Sequence, residues 1–419
     1  MITETRPLSN APARSKWKQI FVLSLPRSGS TLLRLILDTH PEICCPGELG
    51  LGQLCDDLYR ALYFSLGQTG TKDDAARVAI TTARVRETVC DFMDSYAASK
   101  HKSLWAEKTP SNLDHADRLA ETFPDAAYIC LHRNLLDLIR SGWEMTRYGK
   151  MGYGKFKYEL WDHQEFLSLC TRQTRALMDF ERKHRDRTIR IHYEQLTRNP
   201  TQALSRLFGF VGLDWNPSLI DEVFSKQHDE GPGDPKAEFA NKVYTTSIGR
   251  GTSREVLSEL EKAPKSLQDD LSALLSELGY PNLDAARSEV ACKSERGEIQ
   301  PAQTAPRFSD IDELFTHHFL ARLNREPAAA ADLKGAVKFI VRGAGGGTWT
   351  INLDAHPPAL QAADRDADCT ITIKADDLLE LAMGKLNVGE CYLQARLRVV
   401  GNEALAISLG RTLFARASI

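Results

Sequence analysis

One arginine, one glycine and three hydroxyl side chains stand together at Arg27, Ser28, Gly29, Ser30 and Thr31, in the stretch "LPRSGSTLLRLIL". A guanidinium offers a planar fork of N–H donors matched to phosphate or sulfate oxygens, and hydroxyls add further donors. These residue types therefore suit the holding of an oxyanion. A nucleoside triphosphatase loop would end in Gly-Lys-Ser/Thr, with the lysine on the terminal phosphates and the hydroxyl on Mg²⁺. Here the basic residue comes early and no such pair follows, which argues against a P-loop kinase.

Such a loop works only when a strand and a helix flank it. Residues 17–25 form an apolar run that predicts a buried strand, and a helix is predicted to open near Ser30. Backbone N–H groups in the turn and the positive end of the helix would then converge on the anion. A second apolar strand, "AAYICLH" (126–132), leads into "NLLDLIRSG", and a third, "TIRIHY" (188–193), precedes the helical pattern of "TQALSRLFGFVGL". Helical material also fills 53–99 and 160–185. Short apolar strands alternating with long helices predict an α/β fold, a P-loop-type parallel sheet with helices on both faces.

Composition sets the limits. The chain has 419 residues, 42% of them hydrophobic and 26% charged, with a net charge of −3, so nothing global draws it to nucleic acid. No apolar run reaches the ~18–20 residues a membrane helix needs, and the first residues lack the apolar core of a signal peptide. The nine cysteines show no metal-binding spacing, and Cys44-Cys45 reads as buried packing. A reduced, cytoplasmic enzyme without a metal is the expectation.

The stretch "LPRSGSTLLRLILDTHPEICCPGE" resembles the opening of the sulfotransferases, especially the branch containing tyrosylprotein sulfotransferases. In that family the loop grips the 5′-phosphosulfate of 3′-phosphoadenosine-5′-phosphosulfate (PAPS), and Arg27, Ser28, Gly29, Ser30 and Thr31 match it position by position. "YICLHRNLLDLIRSG" resembles the family's 3′-phosphate segment, which assigns that role to Arg133 and Ser141. The resemblance extends to "IRIHYEQLTRNP", placing Tyr193 near the adenosine, and to "TTSIGRGTSREVL", making Ser247 and Arg250 candidates for the loop over the 3′-phosphate. It covers roughly residues 17–280.

Sulfuryl transfer moves an electron-poor group in line between two oxygens, so positioning and charge stabilisation do most of the work. The resemblance implies Glu48 as the base for the acceptor hydroxyl and Lys108, in "WAEKTP", as the cation on the bridging oxygen, with Arg27 stabilising the transferring group. A carboxylate among cations and N–H donors is expected to stay ionised and able to accept a proton. Small-molecule members follow their lysine with Thr-His-Leu-Pro, whose histidine is the base. This chain reads Lys108-Thr109-Pro110, which favours Glu48 and leaves His115 as an outside candidate. Against a protein acceptor, Gly50 stands where the protein-modifying members carry a substrate-contacting arginine. The segment 147–161 reads equally as a mobile lid or a surface loop, and the basic stretch 172–190 as a solvated helix face.

Past Tyr280 the chain turns polar and proline-punctuated. The expected layout is a sulfotransferase domain at 15–282, a linker at 283–307 and a small α+β domain at 308–419. In the last, "AVKFIVRGAGGGTWTINLD" predicts a hairpin whose glycines serve positive φ, not a dinucleotide loop. "DCTITIKADDLLELAMGKLNVGECYLQARLRVVGNEALAISLGRTLF" resembles the sterol carrier protein-2 (SCP2) domain, implying a five-stranded sheet backed by helices around an apolar tunnel. Leu378, Leu379, Leu381, Met383, Leu405, Ile407, Leu409 and Leu413 are apolar at helical spacing, a pattern that serves a closed core as well as a cavity. Together these readings predict transfer of sulfate from PAPS to a small-molecule, lipid-like hydroxyl acceptor, with an apolar ligand at the SCP2-like domain and room for an oligomer. The alternatives are a protein-tyrosine or glycan acceptor, or a lipid-binding assembly protein with an inactive transferase half.

Overall fold

The computed structural model describes residues 15–149, 163–229, 243, 245, 247–296, 310–325, 333–355, 357–383, 386, 388–394 and 396–414. The first sheet has five strands, β1 (Gln19–Ser24), β2 (Ile43–Cys44), β3 (Leu104–Lys108), β4 (Ala126–His132) and β5 (Thr188–His192). Their order is β2-β3-β1-β4-β5, and every pairing is parallel. β1 and β4 are buried along their whole length, as helices on both faces require.

Alternation along β1 divides the interior into two cores. Phe21 and Leu23 join Trp105, Tyr128 and Cys130 beneath helices Leu51–Gln68, Asp74–Ser99, Leu135–Gly149 and His163–Lys183. Ile20 and Val22 join Ala106, Ile129 and Leu131 beneath helices Ser30–Thr39 and Pro200–Val211. Phe21 anchors the first core, its ring centroid 5.6 Å from Trp105, 5.2 Å from Phe123 and 5.7 Å from Tyr128.

Three features depart from the sequence reading. β2 and β3 were not expected: β2 is two residues long, and β3 carries Glu107 and Lys108, which break the apolar pattern although both are buried. The chain from Leu283, expected as linker, is helical over Leu283–Arg296, with Leu283 and Ala286 in the first core. Leu283, Ala286 and Val290 share the face that docks on the core, which a polar average conceals. The segment 147–161 falls largely outside the described residues. The basic stretch 172–190 is helical only as far as Lys183, where exposed Arg175 and Arg182 pair with Asp270 at 2.9 Å and Glu277 at 2.8 Å; Arg190 instead lies on β5 and pairs with Glu181.

The second sheet, taken by itself, is mixed. Its strands are β6 (Ala336–Arg342), β7 (Gly347–Asn352), β8 (Ala359–Gln361), β9 (Cys369–Lys374) and β10 (Leu397–Gly401), in the order β10-β9-β6-β7-β8. β6 and β9 run parallel and the other pairings are antiparallel. The β6–β7 turn closes with Gly343 at φ 106° and Gly345 at φ 70°, conformations that glycine adopts without strain. Helices Ala375–Ala382, Val388–Leu393 and Glu403–Phe414 flank a single core with Phe315, Phe339 and Trp349. Among the described residues no helix is long and apolar enough to cross a membrane.

Phe21→Ala should cost about 3–5 kcal/mol, the usual penalty for a large buried ring whose neighbours cannot close the void. Denaturant titration of the purified protein checks this; a loss below about 1 kcal/mol would contradict the central placement of Phe21.

Candidate active site

The expected residues collect at one edge of the first sheet, at or beyond the carboxyl ends of its parallel strands, where open α/β sheets leave a crevice for ligands. Between β1 and the helix Ser30–Thr39 the chain turns tightly, with Arg27 at φ 67° and Gly29 at φ 91°. A non-glycine residue in the left-handed region costs about 1–2 kcal/mol, so Arg27 is held there by its surroundings. Gly29 is also sterically required. A Cβ there would lie 2.3 Å from Cδ2 of Tyr193.

Ser28 Oγ donates to the Leu25 carbonyl at 2.7 Å and braces the turn from within. Ser30 and Thr31 are buried in the first turn of the helix. Among the described residues no side chain caps that helix and no acid occupies its first turn, so its N-terminal N–H groups and dipole point towards the turn.

Arg133, just past β4, ties the cluster together. Its Nη1 donates to the Arg27 carbonyl at 2.7 Å and its Nη2 to the Ser247 carbonyl at 3.1 Å. The guanidinium lies 4.6 Å from the centroid of the Tyr193 ring. Its Nε is buried without a hydrogen-bond partner among the described residues, an orphaned donor of the kind an oxyanion satisfies. Arg27 Nε donates to Ser141 Oγ at 3.2 Å, and Tyr193 Oη lies 2.9 Å from Ser247 Oγ. Arg27, Arg133, Ser141, Tyr193 and Ser247 thus form one connected group. Arg250 reaches the same loop, but its Nη2 engages Glu144 at 3.3 Å.

A second group sits at the end of β3 and on the turn that follows β2. Lys108, the last residue of β3, is wholly buried, and its Nζ donates to Oε1 of the partly exposed Glu48. His115 is turned elsewhere, its Nδ1 2.5 Å from Asp56 Oδ2. Cys44 and Cys45 are fully buried; burial pushes the Cys44 thiol up to about 11 and Cys45 higher still, which makes both poor nucleophiles.

Several supporting residues escaped the sequence reading. Asp137 accepts from Gly251 N at 2.6 Å and Gly249 N at 2.8 Å, latching the 247–251 loop onto the helix Leu135–Gly149. Burial pushes its carboxyl up, and those two N–H groups oppose the shift. Glu107, wholly buried, accepts from Thr109 Oγ1, Asn112 Nδ2 and Leu49 N. Burial likewise pushes the Glu107 carboxyl up against these donors. Two adjacent ionisable residues at the end of a sheet strand were the available signal.

Behind Arg133, Glu194 accepts from Asn134 N at 2.9 Å and from Tyr280 Oη at 2.7 Å. The phenol's hydrogen is spent on Glu194, so His192 Nδ1, 2.8 Å away, must donate to the phenol oxygen. Burial, aided by His132 and Arg190, pulls the His192 imidazole down to about 4, so it is neutral in the fold at neutral pH.

In the second unit a small apolar cavity of about 30 Å³ is lined by Phe339, Ile371, Leu378, Tyr392, Leu397 and Leu413 among other apolar residues. Leu381, Leu405 and Leu409, from the apolar stripes of the sequence, are buried in the surrounding core. Among the described residues no group of three or more His, Cys, Asp or Glu side chains could hold a metal ion.

A strand, a tight turn and a helix, with arginines at neighbouring strand ends, make up an α/β site whose donors suit an oxyanion. Residues 19–217 match the model described as the sulfotransferase family, and residues 317–414 match that of the SCP-2 sterol transfer family. The chain therefore joins a sulfotransferase-family domain to an SCP2 domain. It is 25% identical over 276 residues to protein-tyrosine sulfotransferase 1 of Danio rerio, covering 62% of this chain and 72% of that one. It is 38% identical over 79 residues to sterol carrier protein 2 of Oryctolagus cuniculus, covering 18% of this chain and 14% of the relative. An uncharacterized protein of Aquifex aeolicus is 26% identical over 214 residues, 50% of this chain, and this match spans only 27% of the relative's length.

The His192 environment predicts a pH dependence with a definite sign. Its pKa in the fold lies below the ordinary value near 6.5, so the unfolded chain binds the proton first and stability drops as pH falls from about 6.5 towards about 4. The slope is on the order of 1 kcal/mol per pH unit in that window. Subtracting the stability profile of His192→Gln from that of the wild type should isolate it; a flat difference between pH 6.5 and 4 would contradict the assignment.

Proposed function

We propose that this chain is a PAPS-dependent sulfotransferase that moves a sulfuryl group to the hydroxyl of a hydrophobic or lipid-like alcohol. The observation that carries the reading is the convergence of the N-terminus of the Ser30–Thr39 helix, Arg27 and Arg133 at the carboxyl ends of the strands, with Lys108 at the end of β3 paired to Glu48 on the turn after β2. In this reading Arg27, Ser28, Gly29, Ser30 and Thr31 hold the 5′-phosphosulfate. Arg133, Ser141, Ser247 and Arg250 serve the 3′-phosphate, and Tyr193 the nucleoside.

Transfer forms a bond between the sulfur and the acceptor oxygen while the bond from sulfur to the bridging phosphate oxygen breaks. Glu48 takes the acceptor's proton, and Lys108 meets the negative charge that develops on the bridging oxygen. Charge stabilisation of this kind is strongest in a water-poor setting, which a fully buried lysine supports. The chemistry as written requires no metal.

The lipid-like acceptor draws its support from the SCP2 domain and its apolar cavity. The SCP2 unit would bind or present an apolar ligand, or serve assembly. A protein-tyrosine acceptor is the second reading, favoured by the relative from Danio rerio. An inactive transferase half is disfavoured by the intact set Arg27, Glu48, Lys108, Arg133 and Ser141.

Binding of 3′-phosphoadenosine-5′-phosphate to the folded state should stabilise the protein by about 2.7 kcal/mol at a hundred times its Kd, without Mg²⁺. ATP should give no comparable shift. Thermal melts decide this, and no stabilisation at millimolar ligand would end the sulfotransferase reading.

Glu48→Gln should retain that stabilisation while lowering turnover about 10²–10⁴-fold, the usual worth of a general base. Transfer of labelled sulfate from PAPS onto a metabolite extract, with the product identified, supplies the assay and the acceptor. Normal turnover in the variant would remove Glu48 as base, and a strongly polar product would overturn the lipid-like acceptor.

A further inference from the structure

We propose that Glu107 is a positioning residue for the transfer, acting through the backbone of residues 49–52 to fix where Glu48 stands against Lys108. The catalytic consequence rests on the sulfotransferase reading; the positioning does not.

The helix Leu51–Gln68 opens just after Glu48. Its first N–H groups have no partners within the helix, and Gly50, at φ 66°, has no side chain to cap them. The caps come from another segment. Gly50 N donates to Thr109 Oγ1 at 3.0 Å and Gly52 N to Asn112 Oδ1 at 2.9 Å. Thr109 and Asn112 each donate in turn to Glu107, which also takes the N–H of Leu49 directly at 3.2 Å. Three backbone N–H groups immediately after Glu48 therefore lead to one carboxylate, directly or through a single side chain.

Strand geometry explains why that carboxylate and the lysine act on the same turn. Successive side chains on β3 point to opposite faces of the sheet. Trp105 belongs to one core and Ala106 to the other, so Glu107 and Lys108 also face apart. Glu107 thus holds the turn's backbone while Lys108 holds the Glu48 side chain. An ionised or hydrogen-bonded carboxyl without solvent exposure is expensive unless every acceptor position is used. Every partner named here is a donor, so Gln at 107 would direct an N–H₂ group at other donors.

The test uses the full chain with Glu107→Gln and, should that variant fold poorly, Thr109→Val, which keeps Glu107 and removes only its link to Gly50. Amide hydrogen exchange is followed over peptides spanning 45–54 and 20–33. The expected result is exchange at 49–52 faster by about 10-fold or more, with 20–33 unchanged. Stabilisation by 3′-phosphoadenosine-5′-phosphate should be retained.

With labelled PAPS and 1-naphthol as the hydroxyl probe, kcat should fall about 10- to 100-fold, the scale of a misplaced catalytic group. In the double variant with Glu48→Gln, the second substitution should add no more than about 2-fold, because Glu107 then has nothing left to position. Unchanged exchange at 49–52, acceleration spread evenly over both segments, or additive losses in the double variant would each overturn the proposal. Failure of the sulfotransferase reading would show separately, as a wild-type protein that the nucleotide does not stabilise, and the exchange result would still decide the positioning.

Discussion

A lysine with no exposed surface must be paired, and that requirement organises this domain. Lys108 ends β3 inside the protein, and its partner Glu48 comes from the turn that follows β2. An uncompensated buried charge costs several kcal/mol, so the turn is obliged to return to the strand end. That return fixes the start of the helix Leu51–Gln68 and the use of Thr109 and Asn112 as its caps. An apolar pair of similar size could give equal stability, so stability alone does not account for an ion pair here.

Around this pair the sheet gathers positive charge without any help from overall composition. The net charge of the chain is −3, yet one end of the sheet collects two arginines, a lysine and the N-terminus of a helix. Parallel strands make this economical, because each one delivers its carboxyl end to the same side. The approach of Tyr193 to Gly29 shows how tightly the pieces fit, since even one methyl group at Gly29 would overlap the ring.

Much of this was legible in the sequence. The strand-turn-helix at Gln19–Thr39 is local, and its turn residues announce it. β4 and β5 were visible as apolar runs, and the hairpin of the second unit as alternation around glycines. β3 was not, because propensity and periodicity count Glu107 and Lys108 as surface residues. Their burial depends on partners about 60 residues away, such as Glu48 and Leu49. Asp137 was hidden for a similar reason: it reads as one more charge on an amphipathic helix until the loop at 249–251 folds onto it. The helix at Leu283–Arg296 was masked by its polar average, while the few apolar residues that dock it determine its fate.

The latch between Asp137 and the 249–251 loop bears on how the domain assembles. Arg133 and Ser247 are 114 positions apart in the chain, so the contact between them carries a large loop-closure entropy. The strand-turn-helix needs no such closure and can organise early, whereas the segment that covers it arrives when the rest of the sheet is in place. A nascent domain would thus hold the strand and helix before Arg133, Tyr193 and the 247–251 loop brought the turn between them to its final shape. The final geometry of this corner would be a late property of folding, gained when Gly251 settles against the backbone of Leu136.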